Sequence, residues 1–431
     1  MRPLALKGHE RALTRIRLNR EGDLLFSASK DKFPAVWYTE NGERLGTYNG
    51  HNGVVWDLDV SWDSRRLLTG SGDNTCKLWD TQTGTELCTI KSNTTVRAVG
   101  FSYSAEQFFF TNAKQMQHGA ALNLFDARDP SQINDGVPFK QYPFASQANA
   151  ALWSQLDDTI VTGHDGGLIS QFDLRSSGVE PVNFVNDAHR YAVTDLQLSQ
   201  DQTMLISSSR DKTARLFDAQ TLEVHKLYKS ERPVNSAAIS PTRDHIVLGG
   251  GEDAMTVTQT AVSAGHFEAK FYHMVFEDEF ARVKGHFGPI NTLAFHPDGR
   301  VFLSGGEDGY IRIQEFDEDY LEFDFDSVSR SISVVCAPAC ERLRRADARL
   351  RAWNRLTSGP ASRPVTSTDA VRAARASSSP SYFDWTRRCL GPQIESPSTR
   401  RPSVELSSSA VSISPTTGAL YPGTLVQCAS V

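Results

Sequence analysis

Over residues 1–326, apolar and polar positions alternate in short runs, broken about every ten residues by turn chemistry. The run INTLAF from Ile290 is typical: Pro297-Asp298-Gly299 follows as a turn, and a second run, VFLS, starts at Val301. Alternation of this kind predicts half-buried strands, and an amphipathic helical period is missing from this part of the chain. The expectation is an all-β body.

The runs recur as a unit. Each unit holds a short apolar strand, small residues, an Asp, and a bulky residue six positions later. It reads SASKDKFPAVW to Trp37, TGSGDNTCKLWD to Asp80, SSSRDKTARLFD to Asp218, LGGGEDAMTVTQ to Gln259 and LSGGEDGYIRIQ to Gln314. The Asp positions are 31, 73, 165, 211, 253 and 308, separated by 42, 92, 46, 42 and 55 residues. The interval of 92 holds one degenerate copy, FFFTNAKQMQHGAALNLFD, ending at Asp126. Seven copies at this period are the pattern of WD repeats, each a four-stranded blade. A single blade cannot bury both faces, so seven arranged radially predict a seven-bladed β-propeller. Either Pro3–Leu6 or Leu321–Asp326 would supply the outermost strand of the closing blade. Register with the other copies, where LALKGH aligns with ELCTIKS, favours the N-terminus.

A Gly-His or a lone His precedes many copies: Gly8-His9, Gly50-His51, His189 and Gly285-His286. The complete copies predict a buried hydrogen-bonded chain in which Asp fixes the His tautomer and a Ser hydroxyl takes the indole N–H. In blade one the members would be His9, Ser29, Asp31 and Trp37. In blade two they would be His51, Ser71, Asp73 and Trp79. His189, Ser209 and Asp211, with Phe217, keep three members. The last copy would retain His286 and Asp308, with Gly306 in the Ser slot and Gln314 in the Trp slot. Such a network stabilises a turn and is not a catalytic triad. No phosphate-binding GxxxxGK[ST], HExxH or GxSxG occurs, and the nominal SxxK at Ser27–Lys30 falls on a repeat strand. The reading is therefore no catalytic residue, no cofactor and no metal site.

The resemblance goes further than the generic repeat. MRPLALKGHERALTRI, GSGDNTCKLWD, the stretch from Phe267 to Gly299, GGEDGYIRI and YLEFDFD are similar to the i subunits of eukaryotic translation initiation factor 3. The aromatic and acidic stretch between copies six and seven, which reads as an insertion, separates this family from a generic WD-repeat adaptor in signalling or ubiquitin ligation, the alternative reading. The resemblance implies a non-catalytic cytoplasmic subunit that binds the b and g subunits and reaches the small ribosomal subunit through the complex, supporting mRNA recruitment and scanning. It places the b-subunit contact on blades five and six, about residues 188–284. There Asp218, Leu222, Glu223 and Tyr228, with Phe271 and Tyr272 of the insertion, are the candidate partner anchors. The aromatics of the insertion fit local burial in an elongated strand pair as well as partner contact.

Charge divides the chain. Residues 327–431 hold fourteen Arg, no Lys and six acidic residues, a balance of +8, leaving 31 basic and 45 acidic residues, or −14, in residues 1–326. An acidic body is poorly suited to phosphate backbones, so sequence-specific nucleic-acid binding is not expected, nor is a membrane role. The N-terminus carries no signal-peptide pattern, and six cysteines are too few for a disulfide scaffold, which fits a cytoplasmic protein. The Arg/Ser/Pro-rich residues 327–431 read as disordered. Ala339–Leu356 patterns as a basic amphipathic helix, and Cys336, Cys340, Cys389 and Cys428 read as free thiols. Two origins stand for this tail: a basic arm that touches ribosomal RNA, or translated intron or frame-shifted sequence. The exclusion of Lys favours the second.

Overall fold

The computed structural model describes residues 3–154, 157–251 and 267–322. The expected tail, with its cysteines and helical stretch, lies outside the described residues, as do Asp253 and Gln259.

Seven four-stranded antiparallel sheets form the blades of a seven-bladed β-propeller. Six follow chain order, and the seventh joins Pro3–Lys7 to Tyr310–Glu315, Val301–Gly306 and Ile290–Phe295. Pro3 pairs with Gln314 and Lys7 with Tyr310, so the N-terminal strand closes the ring. Each blade's inner strand packs against the inner strands of both neighbouring blades.

The second strands explain why blades pack so closely. Leu67–Ser71 and Leu25–Ser29 are buried throughout, as a strand covered on both faces requires. Their small residues set the spacing. A Cβ on Gly70 would come within 2.7 Å of Val96 in the next blade, and one on Gly305 within 2.6 Å of Ile16. Between the small residues, Leu68, Val99 and Phe108 fill one inter-blade core and Leu25, Ile16 and Leu303 another.

Blade six corrects the strand assignment made from the repeat. Its third and fourth strands are Glu268–His273 and Glu279–Lys284, so the aromatic stretch is the regular outer half of a blade. The extra length of this copy lies between Gly250 and Glu268. Alternation decides the matter: Ala269 and Phe271 pack with Phe302 and Leu293 of blade seven, while Tyr272 packs with Tyr228 of blade five. Phe271 and Tyr272 are 0% and 4% exposed, so neither is a surface anchor.

A tyrosine latch recurs at the rim. Tyr48 donates to the Thr81 carbonyl at 3.2 Å, Tyr142 to Asp173 at 3.3 Å and Tyr228 to Met274 at 2.6 Å. Each ties an outer strand to the turn between the third and fourth strands of the following blade. Burial pushes the Tyr48 and Tyr228 hydroxyls well above the usual phenol range.

Two expectations follow. Leu6, 5% exposed in the closing blade, should cost about 2–5 kcal/mol when changed to Ala, whereas Leu4→Ala, at 38% exposure, should stay within about 0.5 kcal/mol; chemical denaturation of both variants checks this. Tyr228→Phe should cost about 1 kcal/mol, read the same way, because it deletes one latch without opening a cavity.

Candidate functional site

Three sets of residues bear on function: the repeat network, the channel lining and the surface of blades five and six.

The repeat network forms, with one member shifted. In blade two, His51 Nδ1 meets Asp73 at 3.0 Å and His51 Nε2 meets the Thr69 hydroxyl at 2.7 Å. Trp79 Nε1 donates to that same hydroxyl at 2.8 Å. Blade one repeats the arrangement with His9, Asp31, Ser27 and Trp37. The hydroxyl in the chain is thus two residues before the one expected. Ser29, Ser71 and Ser209 instead take the backbone N–H of Asp31, Asp73 and Asp211, shaping the turn that presents the carboxylate. Both serine slots lie on one face of the second strand, and only the reach of the imidazole separates them. Blade five uses His189, Ser207 and Asp211. Blade seven keeps His286, Ser304 and Asp308, so its hydroxyl is present and Gly306 is not a gap in the chain. Gly precedes His9 because the indole lies against it: a Cβ on Gly8 would stand 2.1 Å from Trp37.

In blade four the pattern changes. His164 contacts Thr162 at 3.0 Å and the Ser146 carbonyl at 3.2 Å, and burial lowers its pKa. Asp165 meets no His there; it accepts from Asn149 at 3.1 Å at the channel mouth.

Burial opposes the charge on Asp73 and Asp211, yet hydrogen bonds from His51 and Thr75, and from His189 and Thr213, outweigh it and hold both carboxyls well below the ordinary range. These contacts leave no hydroxyl or imidazole aimed at open space. The network is a turn clamp.

The channel mouth holds a cavity of 420 Å³. Every inner strand carries a β-bulge at its second residue, between the first and third residues of the ladder. The bulged residues Thr14, Trp56, Arg97, Asn149, Thr194, Asn235 and Asn291 all line this cavity, as expected where a bulge re-aims a side chain. Below them Arg15 sits 3.2 Å from Asp57 and also binds Asp195. Burial works against the Arg15 charge, but Asp195 and Asp57 overcome it and keep the guanidinium protonated. Asp195 also accepts from Leu196 N, Gln197 and Ser236, and Asp57 from Val99 N of the next blade at 3.0 Å. Burial raises the Asp59 carboxyl, although Arg17 opposes the shift. These convergent acids act as inter-blade staples. Sequence reasoning missed them; the signal available was charged residues two apart on first strands, of opposite sign in the two strands: Arg15 and Arg17 in LTRIRL, Asp57 and Asp59 in VWDLDV. No group of three His, Cys, Asp or Glu among the described residues can hold a metal ion.

On blades five and six the expected anchors are rearranged. Leu222 is 2% exposed at φ +59°, folded onto Phe217 and Leu205, and Tyr228 is fully buried by its latch. Leu222 fills the turn after the third strand. Asp218 caps that turn, accepting from Gln220 N at 2.8 Å and Thr221 N at 2.9 Å. Glu223 is exposed beside it. At the outer edge of these blades Val224, Val275 and Phe276 are exposed, as is Tyr191 before the first strand of blade five, and a Lys226–Glu277 ion pair of 3.3 Å joins the two blades.

The EIF3I family model matches residues 1–326. This chain belongs to the EIF3I family. The Caenorhabditis elegans protein named eukaryotic translation initiation factor 3 subunit I is 60% identical over 327 residues, 76% of this chain and 100% of that protein. The Brugia malayi protein of that name is 58% identical over 327 residues, again 76% of this chain and 100% of its own length. The human one is 50% identical over 329 residues, with the same coverage. An EIF3I chain with this match is a translation initiation factor subunit, and the match ends where the composition changes, near Asp326.

Thr69→Val should strand one buried donor, the Trp79 N–H, and one buried acceptor, His51 Nε2, and cost about 2–4 kcal/mol in chemical denaturation, against about 1 kcal/mol for Ser71→Ala. The depressed Asp carboxyls give a signed pH effect. Their stabilisation is complete above the unfolded carboxylate value and disappears as pH falls below about 4 toward the folded value. Thermal midpoints measured from pH 5 down to about pH 2 should fall for the wild type, and less steeply for the Asp73→Asn/Asp211→Asn double variant.

Proposed function

We propose that this EIF3I protein is a non-catalytic, cytoplasmic scaffold subunit of translation initiation factor 3. It binds the b and g subunits and supports mRNA recruitment to the small ribosomal subunit and scanning. The observation that carries this reading is the unbroken match of its propeller to the whole length of relatives named initiation factor 3 subunit I. Two further observations support it. The histidines and acids that would signal chemistry are engaged in turn clamps and staples, and the body carries a balance of −14 suited to basic protein segments.

For the b-subunit contact we take blades five and six, with the anchors moved to where the surface is. Val224 and Val275 are 46% and 50% exposed, and Glu223 stands beside Val224. The Tyr228 latch holds the turn that bears Val275 against the strand that bears Val224. Apolar anchors ringed by charge are the makings of an interface with a basic amphipathic segment. Asp218 caps the turn beneath this surface.

Co-purification with the C-terminal segment of the b subunit tests this. The Val224→Glu/Val275→Glu variant should bind at least about tenfold more weakly, while Leu87→Glu, on the exposed outer strand of blade two, should bind as wild type does. Equal binding by the double variant would eliminate this surface. Failure of the wild type to bind the b subunit would overturn the scaffold reading itself.

A further inference from the structure

At the opposite end of the ring from the cavity, the turns between first and second strands of blades one, two and three carry Arg20, Trp62 and Tyr103. The Arg20 guanidinium lies 4.4 Å from the Trp62 ring centre, and the Tyr103 and Trp62 rings are 4.1 Å apart. Trp62 is 37% exposed and Tyr103 41% exposed. These are the three residue types most enriched in binding hot spots, and here they form one contiguous ladder across three blades.

The ladder is held ready. Asn19 donates to Ser64 at 3.2 Å, tying the first turn to the second, and Asp157 of blade four accepts from Tyr103 N and from Ser104 N, the latter at 3.0 Å. The first turn is therefore tied to the second and the third to Asp157, which lowers the ordering cost for a ligand that stacks on them. Repeat architecture does not require any of the three side chains, since the corresponding turn position of blade five is Gln200 and that of blade seven is Pro297. The surroundings are acidic: Glu21, Asp23, Asp63, Glu106, Asp126 and Asp157 stand against Arg20, Arg65, Arg66 and Arg128, of which Arg128 pairs with Glu106 and Asp126.

We propose that the Arg20–Trp62–Tyr103 ladder is a docking surface for an arginine-bearing extended segment of a partner protein. An arginine can stack its guanidinium on the exposed Tyr103–Trp62 face while pairing with the neighbouring carboxylates, which a lysine does less well. Nucleic acid also stacks on aromatic rings, but its phosphates would meet the acidic rim.

Fluorescence anisotropy of the full chain tests this with a labelled peptide of about twelve residues alternating Arg and Gly, the same peptide with Lys for Arg, and an oligouridine of similar length, all at about 150 mM salt. The Arg peptide should bind at least about fivefold more tightly than the Lys peptide, and Trp62→Ala and Tyr103→Ala should each remove that preference. Melting curves of both variants should stay near wild type, since the rings are exposed; if one variant melts early, the other carries the test. Equal binding of Arg and Lys peptides, an Arg preference that survives both substitutions, or tighter binding of the oligouridine would overturn the proposal.

Discussion

Five residues at the start of the chain, Pro3–Lys7, form a ladder with a strand at Tyr310–Glu315, three hundred positions away. On this pairing the whole ring depends. A propeller is a closed stack in which each sheet is covered by its two neighbours, and here the first segment of the chain locks the last blade to the first by supplying its outermost strand. Without it, the edge of blade seven would present unpaired backbone groups, and Leu6, Ile311 and Ile313 would lose their shared core with Trp37 of blade one. The closing contact has the highest loop-closure cost in the molecule, and it is repaid only when all seven blades are in place.

Within that ring the same physical problem is solved several times with different residues. Each turn before a second-to-third strand hairpin must be held against its blade. Blades one and two do it with imidazole, carboxylate, hydroxyl and indole, blades five and seven with three of the four, and blade four with His164 and Thr162. The channel is treated likewise. Acids that in another setting would suggest a reaction centre accept backbone N–H groups of adjacent blades and share one guanidinium. Charge inside the ring is spent on holding blades together.

On the scaffold reading proposed above, function falls to surfaces that the repeat does not constrain. The turn between the third and fourth strands of blade six, with Val275 and Phe276, and the ladder of Arg20, Trp62 and Tyr103 at the turns of blades one to three are two such places. Both consist of large side chains where the repeat would accept small or polar ones. Both are anchored by hydrogen bonds from neighbouring blades, which gives surface loops the rigidity of the scaffold beneath them.

Much of this was legible in the linear chain. Spacing of Asp31, Asp73, Asp211 and Asp308 determined the number of blades, and the register of LALKGH against ELCTIKS determined which end closes the ring, because both are properties of a local period. His, Asp and Trp positions were readable for the same reason. What only the tertiary structure decided was which of two equivalent hydroxyls an imidazole reaches, as with Thr69 over Ser71, since strand alternation puts both on one face. It also decided that Leu222 and Tyr228 point inward while Val224 points out, because a turn at positive φ and a latch to the next blade are set by contacts across chain separations that no local pattern encodes. The outer strands of blade six, misplaced by the repeat phrase, were fixed by Phe271 and Tyr272 finding cores on opposite faces of one sheet. Period is local and was determined by the sequence alone; partnership between blades is not, and only the closed ring could assign it.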